Sequence, residues 1–112
     1  DGTGVRDYIH VLDIAEGHLS ALEYLLERKD TLITMNLGTG IGTSVLELIN
    51  TFEDTNKVKI PYKFTNRREG DLGYVVADNS LAISRLKWIP KRDLRKMCLD
   101  GWKWQLSNPN GY

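Results

Sequence analysis

The sequence TLITMNLGTGIGTSVLELINTF (residues 31–52) places three structural patterns in direct succession. Residues 31–37 are apolar and β-branched, which predicts a strand. The glycine-rich residues 38–42 follow and predict a tight turn. Ser44 and Glu47 then have the spacing of a capping box, which predicts a helix running from Ser44 to about residue 55. The buried stripe of this helix is predicted to contain Val45, Leu48, Ile49 and Phe52.

The glycine-rich turn partly matches the fingerprint of dinucleotide-binding proteins. In that G-x-G-x-x-G pattern the third glycine would fall on Thr43. The acidic residue that should close a following strand is also missing, because Glu53 and Asp54 belong to the predicted helix. We therefore interpret residues 38–42 as a strand-to-helix turn and not as a cofactor cradle.

The rest of the chain continues the alternation of strands and helices, and this predicts an α/β fold. We predict a strand at Val5–Val11, a helix capped by Asp13 and ending near Arg28, a short strand at Lys57–Phe64, a helix at Asn79–Leu86 capped by Asp78, and a helix from about Lys91 to Leu106. The predicted apolar face of the first helix contains Ile14, His18, Ala21 and Leu25, with Leu22 and Leu26 beside them. His18 is therefore predicted to be a core histidine. Trp88, Trp102 and Trp104 are predicted to anchor the core.

Composition limits the classes of function. The chain has 112 residues, which is one domain's worth, and a net charge of zero, so neither nucleic acid nor a membrane surface is an expected partner. The single cysteine, Cys98, cannot form an internal disulfide, and we expect a reducing, cytoplasmic location. We see no signal peptide, membrane-spanning segment or metal-binding pattern. Because the chain begins with Asp1 inside a motif, we expect it to be a fragment.

The segment Asn66–Asp71 carries the candidate binding chemistry. It reads NRREGD, two arginines followed by two carboxylates around a glycine. A guanidinium is a planar fork of donors that matches phosphate, and an aspartate can accept hydrogen bonds from ribose hydroxyls. The segment therefore suggests a site for a phosphorylated sugar or a nucleotide. The alternative is a solvated loop with internal ion pairs.

Four stretches together resemble UDP-glucose 4-epimerases, which are members of the extended short-chain dehydrogenase/reductase family. In order, they are DGTGVRDYIHV (1–11), NLGTG (36–40), NRREGDL (66–72) and WKWQ (102–105) with the terminal PNGY (109–112). The pair VRDYIHV and RREGD resembles nucleotide-sugar enzymes of this family, and the W-x-W-Q tail narrows the resemblance to the 4-epimerases. The resemblance covers the whole chain but only the C-terminal part of such an enzyme.

The resemblance implies an α/β, Rossmann-type enzyme that interconverts UDP-galactose and UDP-glucose with bound NAD. Residues 1–112 would be its C-terminal UDP-sugar-binding portion, and an N-terminal Rossmann part absent from this chain would bind NAD. The family's catalytic Y-x-x-x-K motif is missing here, because no tyrosine is followed four residues later by lysine. We therefore expect no catalytic residue in this chain, and we expect the isolated chain to be inactive.

The resemblance also assigns roles to individual residues. Arg6, on the strand face shared by Tyr8 and His10, and Arg68 would bind the diphosphate of a UDP-hexose, and Asp71 the ribose hydroxyls. Val75 would line the sugar pocket, where many family members have an aromatic residue. Arg67 would point away and pair with a carboxylate.

The full-length enzyme is expected to be a homodimer. Two alternatives stay open: a nucleotide-sugar dehydratase or decarboxylase of the same family, and a non-catalytic nucleotide-sugar binding module.

Overall fold

The computed structural model describes residues 1–28 and 32–111, and within them helices alternate with short strands. The elements in chain order are β1 (Val5–Arg6), α1 (Val11–Leu26), β2 (Thr43–Ser44), α2 (Val45–Asn56), β3 (Tyr74–Val75), α3 (Ser80–Leu86) and α4 (Leu94–Ser107). The predicted α/β class is confirmed.

Strand β1 lies at the centre of a small mixed sheet with the order β2-β1-β3. It pairs with β2 in the antiparallel sense, with Arg6 opposite Thr43, and with β3 in the parallel sense, with Arg6 opposite Val75. Each ladder contains only two residue pairs. The sheet therefore brings together three segments that are far apart in the sequence and places Arg6 in the middle.

The strand predicted at residues 31–37 is wrong for the described residues 32–37, and Thr31 lies outside the described part. Residues 32–37 form no strand, because no described segment pairs with their backbone. The predicted alternation is nevertheless present, since Ile33, Met35 and Leu37 are half-buried while Leu32, Thr34 and Asn36 are exposed. The apolar pattern identified the two faces of the segment, but a strand also needs a pairing partner.

The strand predicted at Lys57–Phe64 is also wrong. This segment is held to helix α2 instead of the sheet, because Glu53 accepts hydrogen bonds from the Ile60 backbone at 2.8 Å and from the Lys59 ammonium at 2.7 Å. The sheet takes its third strand from Tyr74–Val75, which the sequence pattern did not predict.

The strand predicted at Val5–Val11 ends at Arg6, and helix α1 begins at Val11. The N-cap is His10 and not Asp13: the His10 Nδ1 atom accepts a hydrogen bond from the Leu12 N–H at 3.1 Å. Asp13 lies in the first turn, fully buried, and bonds the Arg92 guanidinium at 2.5 Å. Asp13 was mistaken for a cap because a carboxylate near a helix start suits either role.

The buried face of α1 differs from the predicted stripe. It contains Gly17, where an added Cβ would lie 2.9 Å from Leu37 and 3.2 Å from Trp88. The prediction that His18 belongs to the core is wrong, because His18 is exposed and donates from Nδ1 to the Ile14 carbonyl at 2.8 Å. The leucines at 19, 22, 25 and 26 are exposed as well.

Helix α2 packs against α4. Its predicted capping box is confirmed, with Ser44 and Glu47 bonding each other's backbone. The Phe52 and Trp102 rings meet edge to face with their centroids 5.7 Å apart. The predicted stripe is less buried than expected, since no residue of α2 is fully buried and Val45 is exposed.

Helix α4 begins at Leu94, with Asp93 as its N-cap, and not at Lys91. Cys98 on this helix is buried. Trp88 is a core residue, and its indole N–H donates to the Asp13 carbonyl at 3.0 Å. Trp104 is not a core anchor, because 43% of it is exposed.

No helix in the described ranges, 1–28 and 32–111, has the length and apolar character needed to span a membrane.

Candidate nucleotide-sugar site

Arg6 is fixed in position by the sheet and by two hydrogen bonds. Its Nη1 group donates to the Val5 carbonyl at 2.8 Å, and its Nη2 group donates to Asp71 Oδ1 at 2.6 Å. The side chains of Arg6 and Asp71 are 31% and 32% exposed, so the ion pair is partly buried but still open to a ligand.

A tight turn brings Arg68 to the same carboxylate. The Asp71 N–H donates to the Arg68 carbonyl at 3.2 Å, and Gly70, the third residue of the turn, has a φ of 77°, which a glycine adopts without steric cost. Arg68 Nη2 lies 4.0 Å from Asp71 Oδ2, and its side chain is 88% exposed. The Asp71 carboxylate therefore has one arginine beside each oxygen, one held in place and one largely free in solvent.

Arg67 does not pair with a carboxylate as predicted. No acidic group in the described part of the chain lies within salt-bridge distance of it. Its guanidinium lies over Gly73, where an added Cβ would be 2.6 Å from Arg67 Nη1. Arg67 therefore packs on the backbone that leads into β3.

Val75 lies beside Arg6 on the neighbouring strand, as the register shows. It is 45% exposed, whereas Tyr74 is 67% exposed. Val75 and Arg6 both line a cleft of about 430 Å³. The complete lining of this first cleft is Arg6, Asp7, Asn36, Val75, Val76 and Ala77.

A second cleft, of about 510 Å³, is lined by Asp71 and Arg68 together with apolar and polar groups. Its other lining residues are Gly2, Thr3, Gly4, Val45, Lys63, Phe64, Thr65, Asn66 and Arg67. Because Arg6 lines the first cleft and its ion-pair partner Asp71 lines the second, the ion pair lies between the two clefts. An elongated ligand could therefore extend from one cleft to the other past the arginines.

A larger cleft, of about 850 Å³, lies elsewhere, between the start of α1 and helix α4. It contains none of the four predicted site residues. His10 in its wall is buried, caps α1 and lies 3.1 Å from Asp100, whose pKa is lowered first by the Lys96 ammonium and also by this contact. These contacts hold α1 to α4, and the cleft offers no pair of guanidinium groups, so we place the candidate site at Arg6 and Asp71.

Asp7, which is not among the predicted site residues, joins two other segments of the chain to β1 beside this site. Its carboxylate accepts hydrogen bonds from the backbone N–H groups of Thr39, Gly40 and Ala77 and from the Thr39 hydroxyl. Because β1 ends at Arg6, Tyr8 and His10 do not share a strand face with Arg6 as predicted. An aspartate inside an alternating strand pattern is unusual, and that could have drawn attention to it.

The chemistry available at the site is binding. Two guanidinium groups can neutralise and orient a diphosphate, and a carboxylate can accept hydrogen bonds from hydroxyl groups.

The mixed α/β arrangement is that of the C-terminal portion of extended short-chain dehydrogenase/reductases, which are Rossmann-type enzymes. No protein-family model matches the chain. The curated UDP-glucose 4-epimerase of Bacillus subtilis is 52% identical over 112 residues, which are all of this chain and 33% of that protein.

Solved structures give the same result. UDP-glucose 4-epimerase from Stenotrophomonas maltophila, with bound NAD and formylated UDP-arabinopyranose, superposes with a TM-score of 0.90 at 52% identity, covering 96% of this chain and 32% of that one. The enzyme from Bifidobacterium longum, in complex with NAD+ and UDP, gives 0.92 at 43% identity, covering 100% and 33%. The chain is homologous over its whole length to the C-terminal portion of these UDP-glucose 4-epimerases and spans about a third of their length.

Proposed function

We propose that this chain is the UDP-sugar-binding portion of an NAD-dependent UDP-glucose 4-epimerase that interconverts UDP-galactose and UDP-glucose. The observation that carries the proposal is the partly buried Arg6–Asp71 ion pair, with Arg68 at the second carboxylate oxygen. In this proposal Arg6 and Arg68 bind the diphosphate, Asp71 binds the ribose, and Val75 borders the sugar.

The two clefts support this order of groups. The diphosphate would lie across the ion pair, because that is where the guanidinium groups are. The hexose would enter the cleft beside Val75, and the ribose would lie on the side of Asp71. The site contributes charge and shape, and the proton and hydride chemistry would come from outside this chain.

The glycine-rich turn is a poor fit for NAD. A dinucleotide cradle presents free backbone N–H groups to the pyrophosphate. Here the Thr39 and Gly40 N–H groups donate to Asp7, and the Ile41 N–H donates to the Thr39 hydroxyl at 3.1 Å. We therefore assign NAD to an N-terminal Rossmann portion outside residues 1–112, where it supplies hydride transfer.

The exposed apolar face of α1 supports that division. Leu19 and Leu22 are 56% and 54% exposed, and Leu26, on the same face of the helix, is 78% exposed. A contiguous apolar surface of this kind marks an interaction surface. The matched relatives are about three times as long as this chain, and we assign this surface to contact with the remaining portion.

Calorimetric titration of the full-length protein with UDP tests the binding assignment. Arg68→Ala should weaken UDP binding, and Arg68→Lys should recover only part of the loss, because an ammonium is a point charge and not a fork. Equal affinity in wild type and Arg68→Ala would show that residues 66–71 are a solvated turn. Incubation with UDP-galactose distinguishes the epimerase from the alternative enzymes. UDP-glucose as the product supports the epimerase, whereas a 4-keto or decarboxylated sugar supports a dehydratase or decarboxylase.

The full-length protein is further proposed to be a cytoplasmic homodimer, as the resemblance to the family implies. Light scattering coupled to size-exclusion chromatography measures its mass, and a monomer would contradict the proposal. Fractionation of the source cells, with the protein followed by antibody, tests the compartment.

A further inference from the structure

We propose that Asp7 is a positioning residue for the UDP-sugar site: its carboxylate sets the spacing between Arg6 and the strand that carries Val75. The proposal rests on the proposed function, because the site that Asp7 positions is the one assigned above to the UDP-sugar. Asp7 follows Arg6 directly in the chain and lines the same cleft as Arg6 and Val75.

The first step in the argument is the shortness of the sheet. Strands β1 and β3 share only two residue pairs, Val5 with Tyr74 and Arg6 with Val75. Beyond those pairs no backbone ladder holds the two segments together. Beyond the ladder, the Asp7 side chain connects the two segments, because its Oδ2 atom accepts a hydrogen bond from the Ala77 N–H at 3.3 Å. Ala77 lies two residues after Val75.

The second step is the attachment of the glycine-rich turn to the same carboxylate. Asp7 Oδ1 accepts from the Thr39 N–H at 2.9 Å and from the Thr39 hydroxyl, and Oδ2 accepts from the Gly40 N–H at 2.9 Å. One carboxylate therefore connects β1, the turn at residues 38–40 and the exit of β3. These hydrogen bonds are stronger than neutral ones, because the acceptor is charged.

Close packing at Gly38 shows how tightly these three segments meet. A Cβ at this position would lie 2.5 Å from the Ala77 Cβ and 2.7 Å from Asp7 Oδ2. Real Cβ atoms are not found at such distances, so any larger residue would push the turn away from Ala77. The Asp7 carboxylate and Ala77, which both line the cleft with Arg6, are therefore packed directly against this turn.

Replacing Asp7 by asparagine tests the hydrogen bonds of this side chain without changing its size. Asparagine has nearly the same shape as aspartate but only one acceptor oxygen, and its amide nitrogen is a donor. Whichever way the amide is turned, its nitrogen would face at least one backbone N–H group, which is also a donor. The wall should loosen on one side while Arg6, Arg68 and Asp71 all remain present.

The experiment compares full-length wild type with Asp7→Asn, Arg6→Ala and the matched control Asp13→Asn. Asp13 is also an aspartate with charged and backbone partners, but it joins α1 to Arg92 and lines neither cleft of the site. We measure UDP affinity by calorimetry on the folded fraction and thermal unfolding by circular dichroism. Asp7→Asn should weaken UDP binding by about tenfold, the scale for losing a charge-assisted hydrogen bond, and Asp13→Asn should leave it unchanged.

A second pair of variants tests the proposal if Asp7→Asn does not fold. Thr39→Val removes the hydroxyl donor to Asp7 and should weaken UDP binding a few-fold, by roughly half the Asp7→Asn effect on a logarithmic scale. Thr39→Ser keeps the hydroxyl and should bind UDP like the wild type. A merely structural role predicts that Thr39→Val lowers the unfolding temperature without changing the affinity of the folded protein, and that result would overturn the proposal.

The outcomes distinguish this inference from the proposed function. If wild type binds UDP, Arg6→Ala weakens binding and Asp7→Asn does not, the positioning role of Asp7 is wrong and the site assignment stands. If wild type does not bind UDP, the proposed function is wrong and the role of Asp7 is wrong with it. If Asp7→Asn and Asp13→Asn weaken UDP binding equally, the effect is general destabilisation, and the proposal is again overturned.

Discussion

Replacing Arg6 by alanine in the full-length protein should weaken UDP binding more than replacing Arg68. Arg6 is 31% exposed and already held by Val5 and Asp71, so it loses little side-chain entropy when a phosphate binds. Arg68 is 88% exposed and must be ordered by the ligand. The structure therefore ranks the two arginines, which the sequence motif alone could not do.

The magnitude follows from the burial of Arg6. Truncating one partner of a buried charge pair costs roughly 2–5 kcal/mol. Because about a third of Arg6 is open to solvent, we take the lower half of that range, about 2–3 kcal/mol, which is about a 30- to 150-fold rise in the UDP dissociation constant. For the exposed Arg68 we expect about 1 kcal/mol, roughly fivefold.

The assay is calorimetric titration with UDP at two salt concentrations, with Arg95→Ala as the matched control. Arg95 is an exposed arginine that bonds Asp54 at 2.8 Å on the α2–α4 surface, so its loss removes the same charge and a comparable ion pair away from the site. The Arg6→Ala loss should be larger in low salt, where charge interactions are less screened. Equal affinity in Arg6→Ala and Arg95→Ala would refute the assignment of Arg6 to the diphosphate.

A double variant tests the cause of the loss. Without Arg6, the Asp71 carboxylate keeps only the distant Arg68 contact and would repel a diphosphate. Arg6→Ala combined with Asp71→Asn should therefore bind UDP more tightly than the sum of the single losses predicts. Strict additivity would show that Arg6 and Asp71 do not act as a unit, contrary to their 2.6 Å contact.

Three further predictions use other parts of the chain. Val75 is smaller than the aromatic residue that the family resemblance places at this position, so the full-length wild type should also turn over UDP-N-acetylgalactosamine. Val75→Tyr should lower the turnover of UDP-N-acetylgalactosamine relative to that of UDP-galactose, and an unchanged ratio of the two rates would contradict this. The isolated chain should neither bind NAD by calorimetry nor convert UDP-galactose to UDP-glucose, and product above the blank would place catalytic groups inside residues 1–112. Burial opposes ionisation of Asp13, yet hydrogen bonds from Arg92 and Lys91 lower its pKa, so its stabilisation is present above the ordinary pKa of 3.8 and lost as the pH falls through the lowered folded value. Asp13→Asn should flatten the fall in unfolding temperature on acidification from about pH 5 to 3, and an equally steep fall in the variant would refute that role.

The parts of the fold that depend on neighbouring residues were predictable from the sequence. The capping box of α2 needs only Ser44 and Glu47 at the right spacing, and both bonds are present. The start of the short helix after Asp78 was also predicted to within one residue, since the helix begins at Ser80 and not at Asn79. Its N-cap is Asn79 and not the predicted Asp78, whose carboxylate accepts a hydrogen bond from the Ser80 N–H. Local hydrogen bonding determines such features, and local sequence is enough to read them.

Strand pairing could not be read in the same way. Residues 32–37 have a more strand-like sequence pattern than Tyr74–Val75, but no segment in the described part of the chain pairs with their backbone. Tyr74–Val75 form a strand because β1 lies beside them. The orientation of α1 was equally non-local. Its leucines suggested the buried face, but the contact of Gly17 with Leu37 and Trp88 decides which side faces the core. In both cases the sequence pattern identified an apolar surface correctly. It could not show whether that surface is buried by other residues of this chain.

The candidate site depends both on residues that the sequence identified and on contacts between distant segments that only the structure shows. The resemblance named Arg6, Arg68, Asp71 and Val75 but could not show that Asp71 holds Arg6 through an ion pair. A carboxylate has about four lone-pair positions, and the two arginines approach it from separate oxygens. Asp71 can therefore accept ribose hydroxyls in the proposed complex without releasing Arg6. In the proposed complex the ion pair holds Arg6 in position for the diphosphate and does not block it, and this arrangement reduces the entropy that binding must overcome.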